Sequence, residues 1–440
     1  METMFTSGSK GEIKARLSEL KEEKARLGKA IAQLRNEKKD ITQLTRELSS
    51  VSAEIKDLQK SLKKSLNTLP EKQPKRWQPS LDIVPEAIRD NATAPCEIFN
   101  YFSDWSRKAE IDQYVTSHEA ASIWHTPSAL DFIVHIYGHS ARYLVATDES
   151  NKIIGVFPLV QLNSRLFGNL IVSTPYYNYG GILADSPEVA RRLLEEAIRW
   201  RNAIGSQSIE LRHVNDSGLN CTKRQDKLTF WLPLPAEDQI LWDSFQPKVR
   251  AQIRRGEKQK PDFLIGKHEL LDEFYRVFSR NMRDLGTPVY EKAFFSGLLN
   301  YLSDNAWLVV VRMDRQPVGC AFITGFRGRM EIPWASTLRE YNYTGINMMM
   351  YWRILKHAVS NGYQLFDFGR CSKDAGTYRF KQQWGAVPVQ LNWDYALSEG
   401  AEPPGLNPDN PKFQFLIGVW KRLPVWVSRL IGPPVVKYLP

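Results

Sequence analysis

The sequence predicts an α/β (α+β) chain in which two consecutive mixed domains follow an antiparallel helical hairpin. Three observations predict it. Apolar residues recur at heptad spacing across residues 10–66. Prolines then crowd a short stretch. Beyond residue 94, strand-like and helix-like runs alternate through two successive stretches.

In the first stretch Ile13, Leu17, Leu20, Leu27, Ile31 and Leu34 fall on a 4-3 spacing, with Lys24 in one core slot. After Asn36-Glu-Lys-Lys-Asp40 the spacing restarts at Ile41, Leu44, Leu48, Val51, Ile55, Leu58 and Leu62. Each arm therefore carries a coiled-coil seam. The central break predicts two antiparallel helices joined by a tight turn, within residues 1–68. Asn36 to Asp40 holds neither Gly nor Pro, so one continuous helix in a parallel dimer competes with the hairpin. Pro70, Pro74, Pro79 and Pro85 mark residues 69–93 as an extended linker.

The first mixed domain is expected over residues 94–240. Asp104 to Ile136 reads as helical, and Arg142–Thr147, Lys152–Val160 and Asn169–Ser173 read as strands. Pro175-Tyr-Tyr-Asn-Tyr-Gly-Gly181 reads as a turn. Pro187 to Ile204 is an amphipathic helix with Leu193, Leu194, Ala197 and Ile198 on one side. Ser208–His213 and Leu228–Leu232 are further strands. The second domain, residues 241–396, opens on basic residues at helical spacing: Lys248, Arg250, Arg254 and Arg255. These either form a solvated helix face or hold a phosphate. Helices follow at His268–Met282 and Lys292–Leu302. A meander comes next at Trp307–Arg312, Pro317–Phe326 and Arg329–Ser336. After the helix at Ile346–Val359 come strands at Leu365–Phe368 and Val389–Tyr395. No R-x-x-G-x-G/A loop precedes that helix, where the text is Arg339-Glu-Tyr-Asn-Tyr-Thr-Gly345. This argues against ordinary acyl-CoA cradling at a helix N-terminus. The tail, residues 397–440, is Pro-rich and then amphipathic, with Lys412, Phe413, Phe415, Leu416, Trp420, Lys421, Arg422, Leu423, Trp426, Arg429 and Leu430. It holds no acidic residue after Asp409. It either lies on an anionic leaflet or straps the domain surface.

At 440 residues, 42% of them hydrophobic, the chain is long enough for two domains and an appendage. A net charge of +10 favours anionic partners without choosing among phosphate-bearing precursors, nucleic acid and membrane. The four cysteines, Cys96, Cys221, Cys320 and Cys371, are scattered, so neither a zinc site nor a disulfide framework is expected. No bound cofactor is expected either. The N-terminus has no apolar core and no run of about 18 apolar residues occurs, so a cytoplasmic location is the expectation.

Chemistry concentrates in Phe366 to Gly385, FDFGRCSKDAGTYRFKQQWG. Asp367, Arg370, Asp374, Arg379 and Lys381 sit among Phe366, Phe368, Tyr378, Phe380 and Trp384, and the run turns at Gly369. Charges interleaved with rings at a strand end suggest a pocket wall. A strand–loop–strand with salt-bridged rims is the plainer reading. Glu331 lies in an otherwise apolar strand, where a carboxylate needs a partner or a task. It either pairs with Arg329 or Arg283 or serves as a base. Asp367 either caps the next turn or does the same.

Asp367-Phe368-Gly369 and Phe380-Lys381-Gln382-Gln383-Trp384-Gly385 resemble the D-F-G turn and the F-K-x-x-[FW]-G signature of FemAB-type transferases. Asn281-Met-Arg-Asp-Leu-Gly-Thr-Pro-Val-Tyr290 and Glu331-Ile-Pro-Trp334 are similar to the subgroup associated with exosortase and PEP-CTERM systems. The resemblance covers roughly Glu97 to the C-terminus. It implies two tandem acetyltransferase-like (GNAT) domains. It also implies transfer of an aminoacyl group from aminoacyl-tRNA, or of another acyl group, to an amine. The acceptor implied is a nucleotide- or lipid-linked peptidoglycan or exopolysaccharide precursor.

On this reading Lys381 either stabilises the oxyanion of the tetrahedral intermediate or steers the acceptor, in a site partly desolvated by Phe380 and Trp384. Glu331 or Asp367 takes the proton from the amine. Lys248, Arg250 and Arg370 hold the acidic acceptor, and Arg283, Tyr290, Trp334, Tyr378 and Arg379 complete the binding set. No Ser/His/Asp or Cys/His set is evident, so direct transfer is expected.

The stretch Leu20-Lys-Glu-Glu-Lys-Ala-Arg-Leu-Gly-Lys-Ala-Ile31 with Lys39-Asp-Ile41 resembles the tRNA-binding arm of seryl-tRNA synthetases. Residues 1–70 carry 15 Lys and Arg against 10 Asp and Glu, a net of +5. This resemblance implies contact of residues 10–66 with aminoacyl-tRNA. Oligomerisation or partner docking is the competing use of such a hairpin. A non-catalytic scaffold of an envelope or exopolysaccharide assembly system is the competing function.

Overall fold

The computed structural model describes residues 10–37, 40–66, 77–81, 84–92, 95–100, 105–373, 376–404 and 417–440. Pro70, Pro74, Asp374, Lys412, Phe413, Phe415 and Leu416 fall outside the described residues, as do the side chains of Ile13 and Leu62. The chain forms two compact units, residues 1–76 and 77–440.

In the first unit, helices α1 (Lys10–Asn36) and α2 (Thr42–Leu66) are separate. Asp40 ends the continuity. Its carboxylate accepts from the Thr42 N–H at 2.9 Å and the Thr42 hydroxyl at 2.6 Å, fixing the start of α2. Leu17, Leu20 and Leu27 bury against Val51 and Ile55, with Leu44, Leu48 and Leu58 packed beside them. Arg16, early in α1, donates to Glu54, late in α2, at 3.1 and 3.2 Å. That pairing requires antiparallel arms, so the single continuous helix is excluded.

The second unit holds β1 (Glu97–Asn100), α3 (Lys108–Ser117), α4 (Pro127–Tyr137), β2 (Ala141–Thr147), β3 (Ile153–Ser164), β4 (Gly168–Val172) and β5 (Leu183–Ala184). Then come α5 (Pro187–Ala203), β6 (Ser208–His213), β7 (Thr222–Arg224), β8 (Lys227–Pro233), α6 (Asp238–Ser244), α7 (Pro247–Glu257) and β9 (Asp262–Gly266). The rest are α8 (Leu271–Leu285), α9 (Lys292–Tyr301), β10 (Ala306–Met313), β11 (Gln316–Phe326), β12 (Arg329–Thr337), α10 (Ile346–Ser360), β13 (Leu365–Ser372), α11 (Gly376–Gln382), β14 (Val387–Gln390), β15 (Asn392–Leu397) and α12 (Val425–Val436). The expected helix over Asp104–Ile136 is two helices. Pro127, which lacks an N–H, starts the second, and the Thr126 hydroxyl caps it.

Two sheets result. The first runs β1-β2-β3-β4-β6-β15-β7, with β5 beside β3, and the second runs β14-β8-β13-β12-β11-β10-β9. The chain exchanges strands between them. β8, which precedes residue 241, pairs with β13 and β14 in the second sheet. β15 returns to pair with β6 and β7 in the first. The expected single strand Val389–Tyr395 is therefore two strands on different sheets. They part at Leu391, whose side chain is buried between the sheets. A cut at residues 240/241 would separate strands from their own sheets.

Three apolar layers hold this arrangement. One lies between the first sheet and α5. The largest joins the halves and includes Trp124, Phe132, Phe274, Phe294 and Trp393. The third packs α6, α7 and α10 on the far face of the second sheet. There Gly345, at φ 84°, precedes α10, and a Cβ on it would lie 2.6 Å from the Gln252 carbonyl oxygen of α7. So α7 lies across the start of α10.

Gly345→Ala would add left-handed strain and a backbone clash together. We expect it to lower stability by roughly 2–4 kcal/mol, measured by chemical denaturation. A loss below about 0.5 kcal/mol would mean that α7 does not press on this turn.

Candidate active site

The second sheet contains one parallel pair, β12 with β13. It is registered only at Arg329↔Leu365, Met330↔Phe366 and Glu331↔Asp367. β12 continues to Thr337 and β13 to Ser372, yet neither bonds the other again among the described residues. Two residue types cause the parting. Pro333 has no N–H to give the ladder, and the β11/β12 register shifts around it. Gly369 takes φ 73° where the β8/β13 register shifts between Asp367 and Arg370. That is a bulge within a continuous strand, not the turn expected from the sequence. The result is a fork with Glu331 and Asp367 at its apex.

Both carboxylates face the first half, because Met330, Ile332, Phe366 and Phe368 alternate with them onto the opposite face. Asp367 accepts from the Tyr179 hydroxyl (2.5 Å), Thr229 hydroxyl (2.9 Å), Trp231 indole (3.0 Å) and Gly369 N–H (2.8 Å). Glu331 accepts from the Trp124 indole at 2.8 Å and, at the long distance of 3.4 Å, from the Asn178 amide. Burial, and next the Asp367 charge, push the Glu331 carboxyl up to about 8. Neither expected arginine binds it directly. Arg283 is spent on Asp284 and the Leu423 carbonyl, at 2.7 Å each. Arg329 opposes the upward shift through its charge alone, with its guanidinium over the Tyr179 and Trp231 rings.

Lys381 is 7% exposed. Its ammonium donates to the carbonyls of Gly369 (2.6 Å) and Arg370 (2.9 Å), and so braces the bulge from within. Burial lowers its pKa to about 8. Its third N–H has no partner among the described residues. Phe380 and Trp384 do not line the fork. They pack with Tyr351 and Phe245 in the far-face core, where Trp384 is 1% exposed. Tyr378 sets its edge on Phe230 in the same layer, and Arg379 is exposed. α7 also lies on that face. Lys248 is exposed there and Arg250 pairs with Asp243 at 3.5 Å, so the sequence-predicted phosphate pair is not brought to the carboxylates.

Beyond the fork the structure gathers other predicted residues. Trp334 of β12 meets Tyr290 at 5.7 Å and Tyr177 at 6.4 Å, both edge to face. Tyr290 also meets Tyr176 at 5.9 Å. Arg370 of β13 places its guanidinium 5.0 Å over Trp393, whose ring also carries Arg212 at 4.5 Å. The Arg370 side chain reaches water although protein surrounds it, as on the wall of a cleft. That enclosure lowers its pKa to about 10, with the Arg212 charge adding to it. Tyr290 is pushed up to about 12 by burial, against the opposing pull of Arg370 and Arg212.

The first half has the same parallel pair, β4 with β6, registered from Leu170↔Ser208 to Val172↔Glu210. Its gap is filled. The Ser173 N–H donates to Glu210, the Arg212 N–H to the Ser173 hydroxyl, and the Gly180 and Gly181 N–H groups to the Arg212 carbonyl. The same loop, Ser173 to Gly181, also reaches the second pair through Asn178 and Tyr179. Asn178 lies 3.6 Å from where a Gly369 Cβ would stand. Sequence reasoning saw this loop as a turn and missed Trp124, Asn178, Tyr179, Thr229 and Trp231. The density of rings and glycines in the loop was the available signal. Near the start of β12 and β13, a cavity of about 200 Å³ is lined by His125, Tyr179, His213, Trp231, Arg327 and Arg329. Among the described residues, no group of side chains could hold a metal ion.

Residues 244–382 match the model of the acetyltransferase (GNAT) domain family. No curated protein matches the chain. Among solved structures, FemX aligns at TM-score 0.53 and 15% identity, over 65% of this chain and 95% of that one. A tandem GNAT protein from the clavulanic acid biosynthesis pathway aligns at TM-score 0.47 and 10% identity, over 70% and 100%. The C-terminal domain of a putative lysylphosphatidylglycerol synthetase from Agrobacterium fabrum aligns at 0.45 and 11%, over 66% and 92%. The second half is thus GNAT-like and the fold resembles that of FemX, with two similar halves: backbone bonds bridge the gap past the parallel pair in the first, and none bridges it in the second among the described residues.

The Glu331 carboxyl holds its proton more tightly in the fold than in the unfolded chain. Its contribution to stability is complete below the unfolded value of 4.5 and is lost as pH rises through about 8. Glu331→Gln should therefore match the native protein near pH 5 and exceed it by at least about 1 kcal/mol near pH 9. Thermal denaturation across that range checks this. A constant gap would remove the titration from Glu331.

Proposed function

We propose that the chain is a FemAB-type acyltransferase that joins an aminoacyl or other acyl group to an amine of a cell-envelope precursor. The observation that carries this reading is the open fork, with a carboxyl near neutrality at its apex and a buried ammonium beneath one arm. In the reaction the amine nitrogen attacks the acyl carbonyl, the C–N bond forms, and the nitrogen loses a proton. Glu331, in the ionised form it reaches as pH approaches 8, is the acceptor of that proton, through the oxygen that Asn178 holds only loosely. Asp367, occupied by four donors, positions the apex. The carbonyl oxygen becomes an oxyanion, and Lys381 supplies positive charge at the bulge where that charge develops. The oxyanion then re-forms the carbonyl, the ester or thioester bond breaks, and its oxygen or sulfur leaves with the proton that Glu331 took from the nitrogen. Arg370, Tyr290 and Trp334 receive the acceptor, with the guanidinium toward an acidic group.

Aminoacyl-tRNA is the favoured donor. The start of α10, where an acyl-CoA pyrophosphate would sit, is crossed by α7. The basic hairpin of residues 10–66 is the favoured RNA contact. The exosortase-associated grouping favours a lipid- or nucleotide-linked exopolysaccharide or peptidoglycan precursor as acceptor.

Two experiments test the reading. Incubation with labelled aminoacyl-tRNA and, separately, labelled acyl-CoA should give transfer to nucleotide-linked precursors from the first donor only. Glu331→Gln should cut kcat by about 10²–10⁴ with KM little changed. Lys381→Met should cost comparable activity, but it also leaves two buried carbonyls unpaired, so its stability must be measured alongside. Normal turnover by Glu331→Gln would reject the assigned base. Binding of precursor without turnover from either donor would favour a scaffold instead.

Removal of residues 1–66 tests the hairpin's part. RNA binding and transfer from aminoacyl-tRNA should fall together, by at least about tenfold. Retention of both would assign the hairpin to protein partners.

A further inference from the structure

Nine large hydrophobic side chains are exposed among the described residues, and four of them lie in the tail: Val419, Trp426, Leu430 and Ile431. α12 does strap the second half, as one sequence reading expected. Ser428, Gly432 and Val436 are buried, and Gly432 packs so closely on Val289 that a Cβ would lie 2.8 Å from its backbone. Arg429 turns inward, donating to the Ser279 hydroxyl at 2.9 Å and covering the Tyr275 ring. The outer face of the same helix is left bare. Trp426 and Leu430, one turn apart, are each 68% exposed. Leu285, 56% exposed, ends α8 beside the same tail. Its neighbour Gly286 lies against Ile417 and the Lys421 stem.

The tail's own charge beside this ridge is positive. Lys421 and Arg422 are exposed and make no ion pair among the described residues. The nearby carboxylate of Asp284 is already bonded by Arg283 at 2.7 Å. The sequence holds no acidic residue after Asp409. Two copies meeting through this ridge would bring Lys421 and Arg422 of each against the other, which opposes self-association. An anionic surface with an apolar interior satisfies both features. Twelve residues span only about 18 Å, well short of the ~30 Å bilayer core, so α12 suits lying on a membrane. No helix among the described residues is long and apolar enough to cross one.

We propose that the ridge of Leu285, Val419, Trp426 and Leu430, flanked by Lys421 and Arg422, docks on an anionic lipid bilayer. The rings and aliphatic tips enter the headgroup boundary while the two cations meet lipid phosphate. The end of the tail touches the site. The Lys437 carbonyl accepts from the Tyr176 hydroxyl at 2.7 Å, and Tyr176 packs on Tyr290. Docking therefore holds the aromatic wall of the fork near the membrane surface. The proposal stands without the transferase reading, since its evidence is the ridge itself.

The test is co-sedimentation of the full chain with vesicles of phosphatidylcholine, with and without phosphatidylglycerol. Binding to the phosphatidylglycerol vesicles is expected and should weaken with salt. W426S/L430S should bind at least about tenfold more weakly, and K421E/R422E should lose the preference for anionic vesicles. Both variants alter exposed side chains, so their Tm should match the native protein. Equal binding to both vesicle types, unchanged binding by W426S/L430S, or no binding at all would overturn the proposal. So would a dimer in lipid-free solution that W426S/L430S dissolves, which would give the ridge to a second copy.

Discussion

The parting of β12 from β13 is the constraint on which the site depends. A proline that cannot donate and a left-handed glycine sit almost opposite each other, so the ladder stops after Glu331 and Asp367. Strand exchange then presses the first half onto this apex, with Trp124, Asn178 and Tyr179 reaching across to the two carboxylates. Two acids facing one another in a buried layer cannot both ionise cheaply. The donors are shared unequally, four on Asp367 and two on Glu331, and the proton stays with the poorer-served group.

The two halves use one architecture for different ends. In the first, the loop after β4 folds back and satisfies the β6 backbone, so the gap is closed. In the second, no backbone bond bridges the equivalent gap among the described residues, and Trp334 and Arg370 lie past it. The loop that closes one gap reaches the other pair through Asn178 and Tyr179, which explains why neither half would form the site alone. Lys381 has a structural task and a chemical one at the same place. Its two short bonds to the Gly369 and Arg370 carbonyls hold the bulge, and the burial that makes those bonds strong also lowers its affinity for its own proton.

Much of the fold was legible in the sequence, because heptad spacing, apolar runs and proline positions act locally. The hairpin, α5, β10 to β12 and α10 all follow from such signals. Strand exchange was not legible. Val389 to Tyr395 reads as one strand, and only tertiary pairing decides that Gln390 and Asn392 belong to different sheets. Around the site, Glu331 and Asp367 were recognisable as acids out of place in apolar strands, Tyr290 and Trp334 came from a motif resemblance, and Arg370 from charges set among rings. Phe380, Tyr378 and Trp384 were expected beside the carboxylates because their rings alternate with charges. α11 instead turns them into the far-face core. Trp124 and Asn178 escaped notice because their partners lie far away in the chain.

The most direct test of this account is the structure of the protein bound to a bisubstrate analogue that joins acceptor amine and acyl group through a tetrahedral phosphonamidate. The account predicts the tetrahedral centre between residues 332–334 and 368–370, with the amine nitrogen about 3 Å from the Glu331 carboxyl. A centre lodged elsewhere, with Glu331 still sealed by Trp124 and Asn178, would contradict it.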